Sequence, residues 1–331
     1  MLNPDAKLNH KIFDASFDEE ALRDGYGKGL LEVGSNEDVV VLVADLEDST
    51  RVSGFRSVYP ERFFEVGVAE QNMATIAAGL GISGKIPFIN SYATFSPGRN
   101  WEQIRTTIAY NDSNVKIAGH HSGISVGPDG ATHQPIEDIA TMRVMPNMKV
   151  VVPADSYEAQ KAVRAAVHTW GPLYLRLTRE KTPIITTPES PFLIGKAQLL
   201  WQPTRKKSID VCIIGAGPLL HNALLAAKEL EKKGISSVVV NSHTVKPLDE
   251  KAIISWAKKA GAVVTVEEHS VIGGLGSAIA ELLVQKFPIP VEMVGVQDMF
   301  GQSGTIHELW KKYHLDVKDI VAAAQKVIKK K

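Results

Sequence analysis

The sequence predicts an α/β protein made of two doubly wound units in series. Three observations carry that expectation: short β-branched runs recur along the chain, helix-length segments separate them, and one proline-rich stretch interrupts the alternation before it restarts. A chain of 331 residues is also long for a single core, so two domains are the default.

The first unit, expected over residues 1–185, carries strand-like runs at 39–44 (VVVLVA), 85–90 (KIPFIN), 115–119 (VKIAG), 149–153 (KVVVP) and 173–177 (LYLRL). Nearly continuous apolar runs of this length suit parallel strands covered on both faces. Helices are expected near 19–33, 69–82, 98–110 and 155–168, the last with Asp155 or Ser156 able to cap its free N–H groups. Four prolines between 182 and 208, with no helical period, make 186–208 a linker with room for one strand. The second unit, 209–331, restarts with IDVCIIGAG, SSVVVN, AVVTVEEH and PVEMVGV, each followed by a helix-length stretch.

Composition excludes several classes of partner. The chain has 37 basic and 37 acidic residues and no long run of either sign, which argues against nucleic acid or an anionic membrane. Its basic end, KVIKKK, suits the last turn of a helix. Cys212 is the only cysteine, so no internal disulfide is possible, as expected in a reducing cytoplasm. The N-terminal stretch lacks a signal-type apolar segment and no run is membrane-sized, so a soluble intracellular protein is expected.

Two glycine motifs need caution. IDVCIIGAGPLLHNALLAAKEL resembles the opening of a dinucleotide-binding unit, but Leu220 stands where that fingerprint needs its third glycine. GGLGSAIAEL at 273–282 can receive a phosphate at a helix start, and close packing explains its glycines equally well.

The densest polar loop spans 118–138 and places His120, His121, His133 and Asp129 among glycines beyond a strand. Crevices at the carboxyl ends of parallel strands are where such sheets bind ligands. His121, Asp129 and His133 are potential metal ligands, although their spacing fits no zinc pattern. Ser122, His133 and Asp129 suggest a hydrolase, but no nucleophile elbow surrounds the serine. Substrate binding suits the loop better. Glu70, which opens the helix GVAEQNMATIAAGLG, reads first as a favourable first-turn acid. Because that helix is small and apolar on every face, it reads also as buried at an interface, where a carboxyl is held neutral or shares a proton with a ring nitrogen.

Taken in order, GVAEQNMATIAAGLG, YATF, GISVGPDGATHQPIEDIATMRVMPNMKVVVPAD and LYLRLTRE resemble the C-terminal half of a transketolase, specifically the smaller chain of split transketolases. The resemblance runs from about residue 19 to the end. It implies a pyrimidine-binding domain followed by a transketolase-type C-terminal domain, acting with thiamine diphosphate in two-carbon ketol transfer between sugar phosphates, as in the pentose phosphate pathway. Glu70 matches the glutamate that bonds the cofactor's pyrimidine nitrogen, favouring the imino form that removes the thiazolium proton. Phe95 matches the stacking residue, Tyr92 another aromatic of that pocket and Trp101 a third wall. Arg23, Ser49, His121 and Arg179 match residues that hold the substrate phosphate. Asp129 matches the reader of a sugar hydroxyl, and His133 the imidazole near the reacting carbonyl.

One departure stands out. The family's GDG motif, with an asparagine about thirty residues later, holds the diphosphate through Mg2+ or Ca2+. This chain has no GDG. The resemblance therefore implies no metal ligands here and a partner N-terminal subunit that supplies the diphosphate site, in an α2β2 heterotetramer. The same half occurs in two related thiamine enzymes, the β subunits of 2-oxoacid dehydrogenases and deoxyxylulose-phosphate synthases, and a non-catalytic scaffold subunit is a further alternative.

Overall fold

The computed structural model describes residues 1–14, 16–204 and 208–331. Arg205, Lys206 and Lys207, at the end of the expected linker, lie outside the described residues. Among the described residues the apolar runs of the first unit join one sheet of seven strands. In spatial order these are Thr244–Lys246, Lys149–Val151, Leu173–Arg176, Lys116–His120, Ile86–Tyr92, Val39–Val43 and Phe63–Glu65. All neighbours are parallel except the first pair. Thr244–Lys246 comes from the second unit, so the first sheet borrows an edge strand from across the linker. The second sheet has five strands, in the order Val291–Val296, Val263–Ser270, Val211–Gly215, Ser237–Asn241 and Gln198–Trp201, the last antiparallel. Gln198–Trp201 is the strand for which the linker has room.

Helices cover both faces of the first sheet. On one side Leu22–Val33 packs against Ser156–Val167 through Leu22, Tyr26, Leu30, Ala159 and Val163. The two helices approach closely because Gly25 lacks a side chain: a Cβ there would lie 2.0 Å from the carbonyl oxygen of Ser156. Asp155 caps the second helix by accepting from the Glu158 N–H at 2.9 Å. On the opposite face Met73, Ala74, Ala77 and Ala78 join Ile104, Ile108 and Ile117 in a cluster that continues into Cys212, Ile214, Val240 and Ile279 of the second sheet. The two units thus share an apolar core, and each fully buried Leu, Ile or Val in it contributes roughly 1.5–3 kcal/mol by leaving water.

Two expected helices are modified by tertiary contacts. Glu19–Ala21 is a strand, paired antiparallel with Lys181–Pro183, and the helix starts at Leu22. The segment expected as helix from 98 instead turns tightly at Gly98, whose missing Cβ would lie 1.9 Å from the Thr94 carbonyl oxygen. Helix begins there at Trp101 and passes at Ile104–Ala109 into a π-helical stretch, a geometry that recurs near functional sites. At the C-terminus Lys326 and Lys330 pair with Glu292 as the last helix, Val317–Ile328, ends.

Candidate active site

The site forms at the carboxyl ends of two adjacent parallel strands, Ile86–Tyr92 and Lys116–His120, whose register sets Tyr92 opposite His120. The chain bends at once beyond both. His121 has a left-handed backbone (φ 50°), which turns its ring onto Tyr92 at a centroid distance of 3.8 Å. Tyr92 and Phe95 stand with rings 22° apart and centroids 5.9 Å apart. His133 meets Phe95 edge-on at 5.6 Å and Tyr92 at 6.3 Å. One aromatic cluster therefore gathers four residues from two loops.

Glu70 opens the helix Glu70–Ile82 and is only 1% exposed. Its carboxylate accepts from Arg99 Nη1 at 2.5 Å and, weakly, from Ser91 Oγ at 3.4 Å. Asn100 Nδ2 donates to its backbone carbonyl at 3.1 Å. Burial calls for a partner, and here the partner is a cation: Arg99 also lies over the Phe95 ring, 4.7 Å from its centroid. The helix is not buried on every face. Met73, Ala74, Ala77 and Ala78 point inward, while Ile76 and Ile82 are exposed.

Cations line the next part of the site. Arg23 Nη1 donates to the Ser49 backbone carbonyl at 3.1 Å and approaches His121 Nε2 at 3.3 Å. Burial, followed by the charges of His120, Arg23, Arg179 and His133, lowers the pKa of His121 to about 2. The ring is therefore neutral near pH 7, accepts at Nε2 and carries its proton on Nδ1. Among the described residues that Nδ1 has no hydrogen-bond partner, and neither do the buried Arg23 Nε and Ser122 Oγ. Arg179 donates to the Val126 carbonyl and to Glu180, each at 2.9 Å, and lies 3.8 Å from Asp129.

Trp101 is set apart from the aromatic cluster. Its indole donates to the Thr141 carbonyl at 3.2 Å, and it lines a cavity of about 210 Å³ with Ala93, Pro97, Pro135 and Glu137. His133 contacts Thr132 Oγ1 through Nδ1 at 2.9 Å.

Residues not singled out from sequence hold the loop in place. Gln134 Nε2 donates to the carbonyls of Ile124, Gly127 and Gln302, which ties the loop to the C-terminal unit. Glu268 accepts from Ser125 N at 2.5 Å and from Trp310 Nε1 at 3.1 Å, and burial raises its pKa. The paired acids of VVTVEEHS were the available signal, since two carboxylates inside an apolar strand run need buried donors.

The fit to thiamine diphosphate concerns its pyrimidine end. A buried carboxylate beside a flat aromatic face suits the pyrimidine end. Among the described residues no group of three or more His, Cys, Asp or Glu side chains is placed to hold a metal. No helix among them is long and apolar enough to cross a membrane.

Fold and site together define an α/β protein with a buried carboxylate and a group of aromatic rings beside a cluster of cationic side chains at the ends of parallel strands. Two family models match in series: the transketolase pyrimidine binding domain over residues 19–184 and the transketolase C-terminal domain over 201–320. The chain belongs to the transketolase family, and its likeness is to the C-terminal chain of split transketolases. A putative transketolase C-terminal section from Methanocaldococcus jannaschii is 44% identical over 315 residues, covering 94% of this chain and 97% of that protein. A 6-deoxy-6-sulfo-D-fructose transketolase subunit from a Clostridium species is 42% identical over 320 residues, covering 96% and 98%. A solved split gene transketolase, an inactive β4 tetramer, superposes with a TM-score of 0.85 at 46% identity, covering 95% of this chain and all of that one.

Proposed function

We propose that this chain is the C-terminal subunit of a two-chain, thiamine-diphosphate-dependent transketolase that moves a two-carbon ketol unit from a ketose phosphate to an aldose phosphate. One observation carries the proposal: the buried Glu70 carboxylate and the Tyr92–Phe95 face are joined through Arg99, and the same Tyr92 touches His121 of the Arg23 pocket. When bound, thiamine diphosphate supplies a carbon nucleophile and an electron sink for the transferred fragment.

The chain's own residues then divide the work. Glu70 exchanges a proton with the pyrimidine nitrogen, while Phe95 and Tyr92 orient the ring by stacking. Trp101, expected as a third wall, stands apart from these rings beside Ala93 and Pro97, with its N–H committed to Thr141. Arg23, Arg179 and the unpaired His121 Nδ1–H grip the anionic end of the substrate, with Ser49 beside them holding Arg23 through its carbonyl. Asp129 accepts from a sugar hydroxyl, and His133 hydrogen-bonds at the reacting carbonyl. A phosphate grip of this kind has no purpose in a 2-oxoacid dehydrogenase subunit.

The diphosphate and its Mg2+ or Ca2+ are left to an N-terminal subunit with a GDG motif, in an α2β2 cytoplasmic assembly. The exposed Ile76 and Ile82 on the Glu70 helix are apolar surface that such a partner would cover. The test is to purify the chain with and without that subunit and assay ketol transfer with thiamine diphosphate and magnesium, using both phosphorylated and sulfonated ketoses. Activity only in the complex is expected. Activity from the lone chain would contradict the half-site assignment, and inactivity with every partner would favour a scaffold.

A further inference from the structure

Arg99 makes both contacts that the proposed function assigns to the aminopyrimidine. Its Nη1 donates to Glu70 Oε2 at 2.5 Å, and its guanidinium carbon stands 4.7 Å from the centroid of the Phe95 ring. A guanidinium is planar, cationic and edged with N–H donors, so it satisfies a carboxylate and an aromatic face together. So does an aminopyrimidine. A carboxylate edge and a ring face in this geometry hold one flat group at a time.

The surroundings separate a fixed backbone from a movable side chain. Arg99 N donates to the Phe95 carbonyl at 2.8 Å, and neighbouring Asn100 is anchored through Nδ2 to Glu70 O and Ser96 Oγ, each at 3.1 Å. The Arg99 side chain, by contrast, is 45% exposed and has a route to solvent, whereas that of Glu70 is 1% exposed and has none. Without a cation the buried carboxylate would stand without an ion-pair partner, which is strongly unfavourable.

We propose, resting on the thiamine diphosphate reading above, that Arg99 is the cofactor's placeholder: it pairs Glu70 and covers Phe95 in the subunit, and leaves when the aminopyrimidine enters. Binding is then an exchange of one flat donor for another, with the guanidinium released to water. The placeholder lowers apparent affinity by the fraction of molecules in which it is in place.

The experiment measures thiamine diphosphate binding calorimetrically, with magnesium, in the complex of the full chain with a GDG-bearing N-terminal subunit. Wild type, Arg99→Met, Arg99→Lys and Glu70→Gln are compared, and urea unfolding of each chain without cofactor is recorded in parallel. Arg99→Met is expected to bind about tenfold more tightly and to unfold at lower urea, with the loss relieved in the Glu70→Gln/Arg99→Met double variant. Arg99→Lys, which keeps the charge but loses the planar fork, is expected in between and serves if the Met variant does not fold. Unchanged or weaker binding by both Arg99 variants would show that Arg99 stays in place as a clamp and would overturn the exchange. The absence of Glu70–Arg99 coupling in urea would overturn it as well. If Glu70→Gln binds and turns over like wild type, or the wild-type complex binds no cofactor, the thiamine diphosphate reading itself fails.

Discussion

Arg176 and Asp138 form a buried two-point ion pair beneath the loop that carries His121 and His133. Arg176 donates through Nε to Asp138 Oδ2 at 2.8 Å and through Nη2 to Oδ1 at 3.1 Å, and Tyr174 donates to Oδ2 at 2.7 Å. Burial pushes the Asp138 carboxyl up, but the charge and hydrogen bonds of Arg176 outweigh it and hold the group below its ordinary range. Arg176 also donates to the Glu268 carbonyl at 3.0 Å, which joins the first unit to the second.

Removing one member leaves the other charge buried and alone. Asp138→Ala is expected to lower stability by about 3–5 kcal/mol in urea unfolding, and the Asp138→Leu/Arg176→Met double variant by much less. If the double variant loses as much as the single one, packing rather than pairing matters at this site.

Glu70→Gln keeps the shape of the side chain and removes its ability to exchange a proton. In the reconstituted complex kcat is expected to fall by about 10²–10⁴-fold, with an unchanged circular dichroism spectrum. Near-normal turnover would end the assignment of Glu70 to the cofactor.

Arg179→Ala removes one cation from the substrate pocket. A hydrogen bond to a charged group contributes about 1.5–3 kcal/mol, so KM for a ketose phosphate is expected to rise about tenfold to hundredfold with kcat little changed. Steady-state kinetics on a ketose without an anionic group provides the control. An equal loss on both substrates would show that Arg179 does not read the anion.

Burial lowers the pKa of His243 to about 3, and burial together with the charge of Arg23 does the same for His120, from an ordinary 6.5. Between these values the unfolded chain binds protons that the folded chain excludes. Stability therefore rises with pH across this window and is lost as pH falls from 6.5 toward 3. The slope is about 1.4 kcal/mol per pH unit for each histidine. Urea midpoints measured from pH 4 to 8 should fall on acidification, and His243→Gln should flatten the curve. An identical slope in that variant would remove His243 from the account.

Much of the fold was legible because buried parallel strands write themselves as short apolar runs. VVVLVA and VKIAG became strands at Val39–Val43 and Lys116–His120, each within a residue or so of the expected limits. The helix opened by Glu70 was legible from its alanines and glycines. Edge strands were not: Thr244–Lys246 and Glu19–Ala21 are three residues each, and long-range pairing rather than local preference creates them. The aromatic and charged residues of the site were legible as types in family order. The pairing of Arg99 with Glu70 was not legible, because it depends on the turn at Gly98.

By itself the sequence determined the α/β alternation and the presence of carboxylates, aromatic rings and cations at and just beyond strand ends. These follow from hydrophobic periodicity and side-chain chemistry, which are local. Only the tertiary structure decided that Glu70 is paired by Arg99, that Ser49 meets Arg23 through its backbone, and that Glu268 and Gln134 of different units hold one loop. Such contacts join residues up to 168 positions apart. Their existence depends on strand register and on burial, which turns an unpaired polar group into a cost and so selects its partner.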